Sequence, residues 1–88
     1  MKFKSNIEVL KQLSGRGRLL RKQHKLTQQQ LSERSGVSLG SLKRFETTGK
    51  ISLESLVKII ATLGRLEDLD DLLKPQNTPN SIDDLFKK

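Results

Sequence analysis

The stretch LTQQQLSERSGVSLGSLKRFETTGK, which begins at Leu26, contains two short apolar patterns separated by one glycine, Gly36. Thr27 is suited to N-cap the first pattern, because a glutamine three residues later can complete a capping box. Gly36 stands where the end of a helix needs a left-handed residue, and Ser38 can N-cap a second helix that runs to about Thr47. The stretch therefore predicts two helices joined by a tight turn.

The apolar side chains of this stretch fall on positions that can meet in one small core, namely Leu31, Val37, Leu42 and Phe45. Ser32 is small, which lets the second helix approach the first closely. The outer face of the second helix is then not needed for packing, and it carries Leu39, Gly40, Lys43 and Arg44. Two helices arranged in this way form a helix-turn-helix, whose second helix fits the DNA major groove with its exposed side chains at the base edges.

The composition is that of a small globular domain. A chain of 88 residues with 33% hydrophobic and 31% charged residues makes one domain with a small core. It has no cysteine, so we expect no disulfide and no thiolate metal site. No apolar run approaches the roughly 18 residues of a membrane span, and the start, MKFKSNIEVL, lacks a secretory signal. We therefore expect a cytoplasmic protein that makes no membrane contact and needs no metal or cofactor.

Charge is distributed unevenly along the chain. Residues 1–50 carry a net charge of +9, whereas residues 51–88 carry −2. This asymmetry indicates a polyanionic partner on one side of the molecule, although basic residues also suit solvated helix faces. One histidine, no acid pair with a base and no phosphate-binding loop argue against an enzyme.

A helix is also predicted before the pair, from about Ile7 to Leu26. Gly15 and Gly17 lie inside it, and each glycine costs a helix roughly 1 kcal/mol relative to alanine. The sequence therefore leaves open whether this helix runs through these glycines, kinks or breaks there.

Two more helices are predicted after the pair. Ser52 can cap a helix that ends at Gly64, and another covers about Leu66–Leu73 and stops before Pro75. PQNTPN then indicates a linker, and SIDDLFKK has the pattern of a short amphipathic helix. The predicted fold is all-α: a compact five-helix helix-turn-helix DNA-binding domain over residues 1–74, then a linker and short tail helix over 75–88.

The sequence resembles the phage-repressor (Cro/Xre) type of helix-turn-helix domain. LTQQQLSERSGVS, followed by SLKRFE, GK and SLESLVKIIATLG, matches the four central helices of that family over about residues 7–73. The resemblance implies a sequence-specific repressor that binds a palindromic operator in double-stranded DNA. It also implies that Arg21 and Glu46 form a structural ion pair and that Gln28, beside Thr27, binds a DNA phosphate.

The resemblance assigns base contacts to the second helix of the pair. Arg44 is the expected base reader, since a guanidinium can bind O6 and N7 of guanine, and Leu39 can touch a thymine methyl group. Many relatives have Gln or Arg where this chain has Leu39 and Gly40, so we expect DNA shape to supply part of the specificity. The predicted DNA-binding residues are Thr27, Gln28, Ser38, Leu39, Gly40, Ser41, Lys43, Arg44, Thr47 and Lys50. Further phosphate candidates, for which a solvated surface role is equally expected, are Lys22, Lys25 and Thr48, with His24 as a phosphate neighbour or packing residue.

A two-fold homodimer is expected, because one recognition helix makes too few contacts for tight specific binding. Repressors of this type pair half-sites about one turn, roughly 34 Å, apart. The residues that exceed the needs of one small core, and that we predict at the dimer interface, are Leu66, Leu69, Leu72 and Leu73.

The GVSLGSLKRFE segment, the leucine-rich helix and the SIDDLF tail resemble the regulators that accompany HipA-like kinase toxins. By that resemblance the chain is a HipB-type antitoxin that represses its own operon and holds a kinase partner. Ile82, Leu85 and Phe86 form the apolar face of the predicted tail helix and would contact that partner. The alternatives are a stand-alone Xre-type regulator or phage-type repressor, whose tail would fold back on its own domain, and a protein–protein adaptor that does not bind DNA.

Overall fold

The computed structural model describes residues 5–76, in which helices alternate with short turns and no strand occurs. The α-helices are α1 (Asn6–Gln23), α2 (Gln28–Ser35), α3 (Leu39–Thr48) and α4 (Leu53–Thr62), and a 3-10 helix follows at Leu66–Leu69. The all-α class is confirmed for these residues. The predicted division into residues 1–74 and 75–88 stays a prediction, and the predicted tail residues Ile82, Leu85 and Phe86 lie outside the described residues.

The helix starts follow the predicted capping residues. The Thr27 hydroxyl accepts from the backbone N–H of Gln30, whose side chain accepts in turn from the backbone N–H of Thr27, so the capping box is confirmed. Ser38 and Ser52 cap α3 and α4 through their hydroxyls, each on the backbone N–H three residues later. These local contacts satisfy backbone donors that the first turn of a helix otherwise leaves unpaired.

The turn between α2 and α3 is built on Gly36 and Ser32. Gly36 has φ 78°, the left-handed conformation that the sequence predicts. The Ser32 hydroxyl donates to the carbonyl of Val37 at 2.6 Å, so this small residue both permits close approach and fastens the turn.

The core lies between α2, α3 and α4, and α1 packs against α3 with Leu20 at the edge of the core. The four predicted core residues are all buried, and Leu31 and Leu42 are completely inaccessible. The full buried apolar set is Leu26, Leu31, Val37, Leu42, Phe45, Ile59 and Leu63. This cluster holds α3 with its opposite face in solvent.

The first helix does not break at its glycines, since α1 is one helix across Gly15 and Gly17. A capping box between Ser5 and Glu8 starts it. A Cβ built at Gly17 would lie 2.9 Å from Cε2 of Phe45, so this glycine lets α1 pack closely on α3. Contact between the two helices therefore offsets the helix-propensity cost that the sequence pattern emphasised.

The predicted fifth helix over Leu66–Leu73 is wrong, so the described domain has four α-helices and a 3-10 helix that ends at Leu69. No side chain caps this segment at Arg65. Four acids crowd residues 67–71, and like charges three or four positions apart destabilise a helix. Leu73 then takes a left-handed φ of 61°, which ends any helical continuation.

Candidate nucleic-acid interface

The outer face of α3 is exposed because the inner face supplies the core. An α-helix turns about 100° per residue, which puts Leu42 and Phe45 on the buried side. The same rotation puts Gly40, Arg44 and Thr47 within about 60° of one another on the opposite side, and all three are exposed. This exposed side of α3, which we call the outer face, also carries Lys43 at its edge, and half-buried Leu39 borders it.

The N-terminal end of α3 is fixed by hydroxyl groups. Ser38 accepts from the backbone N–H of Ser41 at 3.1 Å and also donates its hydroxyl to Ser41 Oγ at 2.9 Å. Both residues are exposed. The first turn of the helix thus presents hydroxyl oxygens close to Gly40, where no side chain limits approach.

An ion pair joins α1 to α3 at the base of the outer face. Arg21 Nε donates to Glu46 Oε2 at 2.7 Å and Arg21 Nη2 donates to Glu46 Oε1 at 2.9 Å, a two-point contact. Arg21 Nη1 donates to the carbonyl of Leu26 at 2.9 Å. The two charged side chains are only 9% and 4% exposed, so the pair is an internal contact, as the predicted structural role requires.

The environment of Glu46 favours its charged form. Burial raises the pKa of this carboxyl, but hydrogen bonds from Arg21 and Gln28 and the positive charges of Arg21 and Arg18 outweigh burial and hold the pKa below its ordinary value. The hydrogen bond to Glu46 likewise raises the pKa of Arg21. Both groups are therefore charged at neutral pH.

On one flank of the outer face lies a cleft between α1, α2 and α3, which we call the α1 cleft; its lining residues are Arg18, Arg21, Thr27, Gln28, Glu46 and Thr47. The predicted phosphate ligand Gln28 is here, but its Nε2 already donates to Glu46 Oε1 at 3.0 Å. One N–H of this amide therefore remains for a ligand. The Thr47 hydroxyl donates to the carbonyl of Lys43, so Thr47 offers the cleft oxygen lone pairs only.

Sequence reasoning missed Arg18. Its position three residues before Arg21 on one helix places both arginines on the same side of α1, and that spacing is the signal that could have found it. Within residues 5–76 Arg18 makes no hydrogen bond or ion pair, so its guanidinium donors are available.

A second cleft lies on the other flank, between α3 and the start of α4, and we call it the α4 cleft; its lining residues are Ser41, Arg44, Lys50, Ile51, Ser52 and Ser55. The structure thus brings three predicted DNA contacts, Ser41, Arg44 and Lys50, to one place. Ser52 and Ser55 were not among the predicted contacts; the Ser52 hydroxyl caps α4 by accepting from the backbone N–H of Ser55.

The remaining predicted residues lie apart from these clefts. Lys22, His24 and Lys25 are exposed around the end of α1, and Lys25 adopts a left-handed φ of 58°. Thr48 donates its hydroxyl to the carbonyl of Arg44. Among the predicted dimer residues, Leu66, Leu72 and Leu73 are exposed and Leu69 is half-buried.

No group of three or more His, Cys, Asp or Glu side chains between residues 5 and 76 is placed to hold a metal ion. None of the helices in that range is long and apolar enough to cross a membrane. The two clefts and the outer face between them are the features that the charge and geometry single out.

Comparison with known proteins agrees with this geometry. A family model described as helix-turn-helix matches residues 18–69, which is more than half of the chain. A search of curated proteins finds no match. The matched range begins at Arg18 and includes α2, α3, α4 and the 3-10 helix. The chain therefore belongs to the helix-turn-helix family, of the Cro/Xre type, whose members are DNA-binding regulators.

Proposed function

We propose that the chain is a sequence-specific repressor that inserts α3 into the major groove of an operator. The observation that carries the proposal is the outer face of α3, exposed and flanked on each side by a cleft that contains an arginine. A helix with its side chains is about 10–12 Å across and the major groove is about 12 Å wide. A helix in the groove therefore has a phosphate backbone on each flank, where the clefts lie.

Base readout falls to few side chains. Arg44 lies on the outer face at its α4-cleft side and can bind O6 and N7 of a guanine, while Leu39 can meet a thymine methyl group. Gly40 contributes no side chain, so the base edges beside it are approached by backbone alone. We expect DNA shape to supply the rest of the specificity.

Phosphate contacts fix the position of α3. We expect Gln28 and Thr27, which line the α1 cleft, to contact one backbone, and Lys50, which lines the α4 cleft, to contact the other, with Ser38 and Ser41 near the first turn of α3. Such contacts set register and affinity without sequence information. A cytoplasmic protein that binds a palindromic operator as a two-fold dimer fits this arrangement.

Selection of random duplexes by the purified full-length chain tests the proposal. We expect a palindromic consensus. Arg44→Ala should cost about 1–3 kcal/mol on that consensus and relax base choice at one position, whereas Gln28→Ala should weaken specific and non-specific binding alike. Arg34→Ala is the matched control, since Arg34 is exposed but outside both clefts.

Enrichment of no sequence would contradict the proposal and favour an adaptor that does not bind DNA. A loss of affinity that is equal on every sequence for Arg44→Ala would instead make Arg44 a phosphate contact. The experiment has to separate these two roles of Arg44, because Arg44 lines the α4 cleft together with the predicted phosphate contact Lys50.

A finer proposal is that the repressor is the antitoxin of a HipA-like kinase toxin and regulates its own operon. Its support is the sequence resemblance described above, together with the exposed Leu66, Leu72 and Leu73 that precede the tail. The rival is a stand-alone regulator. Deletion of residues 81–88 should abolish kinase binding and leave operator affinity nearly unchanged. Unfolding or loss of the dimer on that deletion would assign Ile82, Leu85 and Phe86 to the protein's own core.

A further inference from the structure

In the α1 cleft, Arg18 is the cation whose N–H donors are not used by other groups within residues 5–76. The guanidinium of Arg21, the other arginine in this cleft, donates hydrogen bonds to the Glu46 carboxylate and to the carbonyl of Leu26. Arg18 is exposed and makes no hydrogen bond or ion pair within residues 5–76. Since Arg21 neutralises Glu46, the cleft keeps the positive charge of Arg18, and an anion that enters meets a guanidinium with free N–H groups.

Arg18 also belongs to a basic stripe along α1. Lys11, Arg18 and Lys22 are separated by seven and four positions, which at about 100° per residue keeps them within about 40° of one another. All three are exposed. At about 1.5 Å per residue the stripe is roughly 16 Å long, and the one acid on α1, Glu8, lies beyond its far end and is held in the capping box.

We propose that Arg18 binds a DNA backbone phosphate in the α1 cleft and that Lys22 and Lys11 extend this contact along the same strand. The inference rests on the proposed function and adds α1, which lies outside the helix-turn-helix pair, to the DNA surface. Gln28 acts with Arg18 through its remaining amide N–H. Arg21 and Glu46 hold α1 against α3, and Arg18 of the stripe lines the same cleft as Thr47.

The test is the salt dependence of DNA binding by the full-length chain and its Arg18→Gln variant, measured on the selected operator and on an unrelated duplex. Each phosphate neutralised contributes about 0.9 to the slope of log affinity against log salt. The affinity advantage of the native chain over Arg18→Gln should therefore shrink about 3.5-fold between about 50 and 200 mM salt. The effect should be the same on both duplexes, because phosphate contacts carry no base preference.

Two variants separate this contact from general charge and from folding. Arg16→Gln removes an equal charge from the same helix, but Arg16 points about 160° away from Arg18, so its salt slope should equal that of the native chain. Arg18→Lys keeps the charge and should restore most of the slope. Melting curves verify that each variant is folded.

Equal slopes for the native chain, Arg18→Gln and Arg16→Gln would overturn the inference. A loss of slope that is as large for Arg16→Gln as for Arg18→Gln would overturn it too, because the effect would then be one of net charge. In either case the proposed function stands if Arg44→Ala still loses base preference, and it fails separately if the native chain selects no sequence.

Discussion

Glu46 receives hydrogen bonds from two other helices, from Arg21 of α1 and from Gln28 of α2. One carboxylate therefore ties together the three elements that border the α1 cleft. The same contact limits what Gln28 can offer a phosphate, since one of its two amide hydrogens is committed. The internal ion pair and the proposed DNA surface are therefore linked through the hydrogen bond between Glu46 and Gln28.

Replacement of Glu46 by alanine should destabilise the fold before it affects base preference. Arg21 would be left as a buried charge without its partner, which costs about 3–5 kcal/mol in comparable pairs. A domain of this size loses about 4–8 °C of melting temperature per kcal/mol, so a thermal melt measures the effect readily. Glu54→Ala is the control, because the exposed Glu54–Lys58 pair should contribute less than about 1 kcal/mol. An unchanged melting temperature with altered base preference would place Glu46 on the DNA surface.

The lowered pKa of Glu46 gives that stabilisation a pH dependence with a defined sign. The folded chain binds the proton less readily than the unfolded chain, whose glutamate pKa is about 4.3. The contribution is therefore fully present above about pH 4.3 and is lost as pH falls through the lower pKa of the folded state. The stability gap between the native chain and Glu46→Gln, measured by denaturant melts, should narrow in that acid range. A gap that widens there would contradict the assigned direction.

Gly40 lies inside α3, and no packing contact requires a glycine at this position. A Cβ added there meets no atom within 4 Å, and alanine is favoured over glycine in a helix by about 1 kcal/mol. Gly40→Ala should therefore raise the melting temperature by a few degrees while it weakens operator binding, because the added methyl group lies on the face that approaches the bases. Operator affinity equal to that of the native chain would show that the backbone of α3 does not come close to DNA at this position.

At the scale of elements, α1 is continuous because of what it touches. Gly15 faces solvent and meets no atom within 4 Å of an added Cβ, whereas the equivalent position at Gly17 is 2.9 Å from the ring of Phe45. The close approach of α1 to α3 is needed at Gly49 as well, where φ is 82° and an added Cβ would lie 2.6 Å from Leu10. Two of these glycines therefore set the spacing of the helices and one does not.

The two glycines of α1 should respond to alanine differently. Gly15→Ala should stabilise the fold by up to about 1 kcal/mol through helix propensity. Gly17→Ala should be less stable than Gly15→Ala by about 1–3 kcal/mol, the usual cost of overpacking a core. Denaturant melts of both variants make the comparison, and equal stabilities would mean that Phe45 moves aside at no cost.

In the whole molecule, the segment that follows α4 carries an exposed apolar surface made of Leu66, Leu72 and Leu73. Leu73 is 93% exposed. We predict that Leu72→Glu converts a dimer to a monomer and weakens operator binding, because two half-sites can no longer be held together. Sedimentation and a thermal melt are the measurements. Leu19→Glu is the matched control, since Leu19 on α1 is as exposed as Leu72, at 60% against 59%. A native chain that is monomeric both free and on its operator would contradict the dimer.

The helix-turn-helix is predictable from local sequence, because its signals act over a few residues. Thr27, Ser38 and Ser52 cap backbone N–H groups three positions away, and Gly36 supplies a left-handed turn that other residues rarely adopt. The buried positions of α2 and α3 followed from their periodicity. These local rules were sufficient to orient α3 with Arg44 outward.

Features that depend on residues distant in sequence could not be predicted in this way, because packing between helices sets them. A glycine is accommodated inside α1 at position 17 because the ring of Phe45, far along the chain, occupies the space that a side chain there would need. The α1 cleft joins Arg18 to Thr27 and Thr47 across three helices. Helical periodicity places a residue on a face, but which faces meet is decided by how the helices pack.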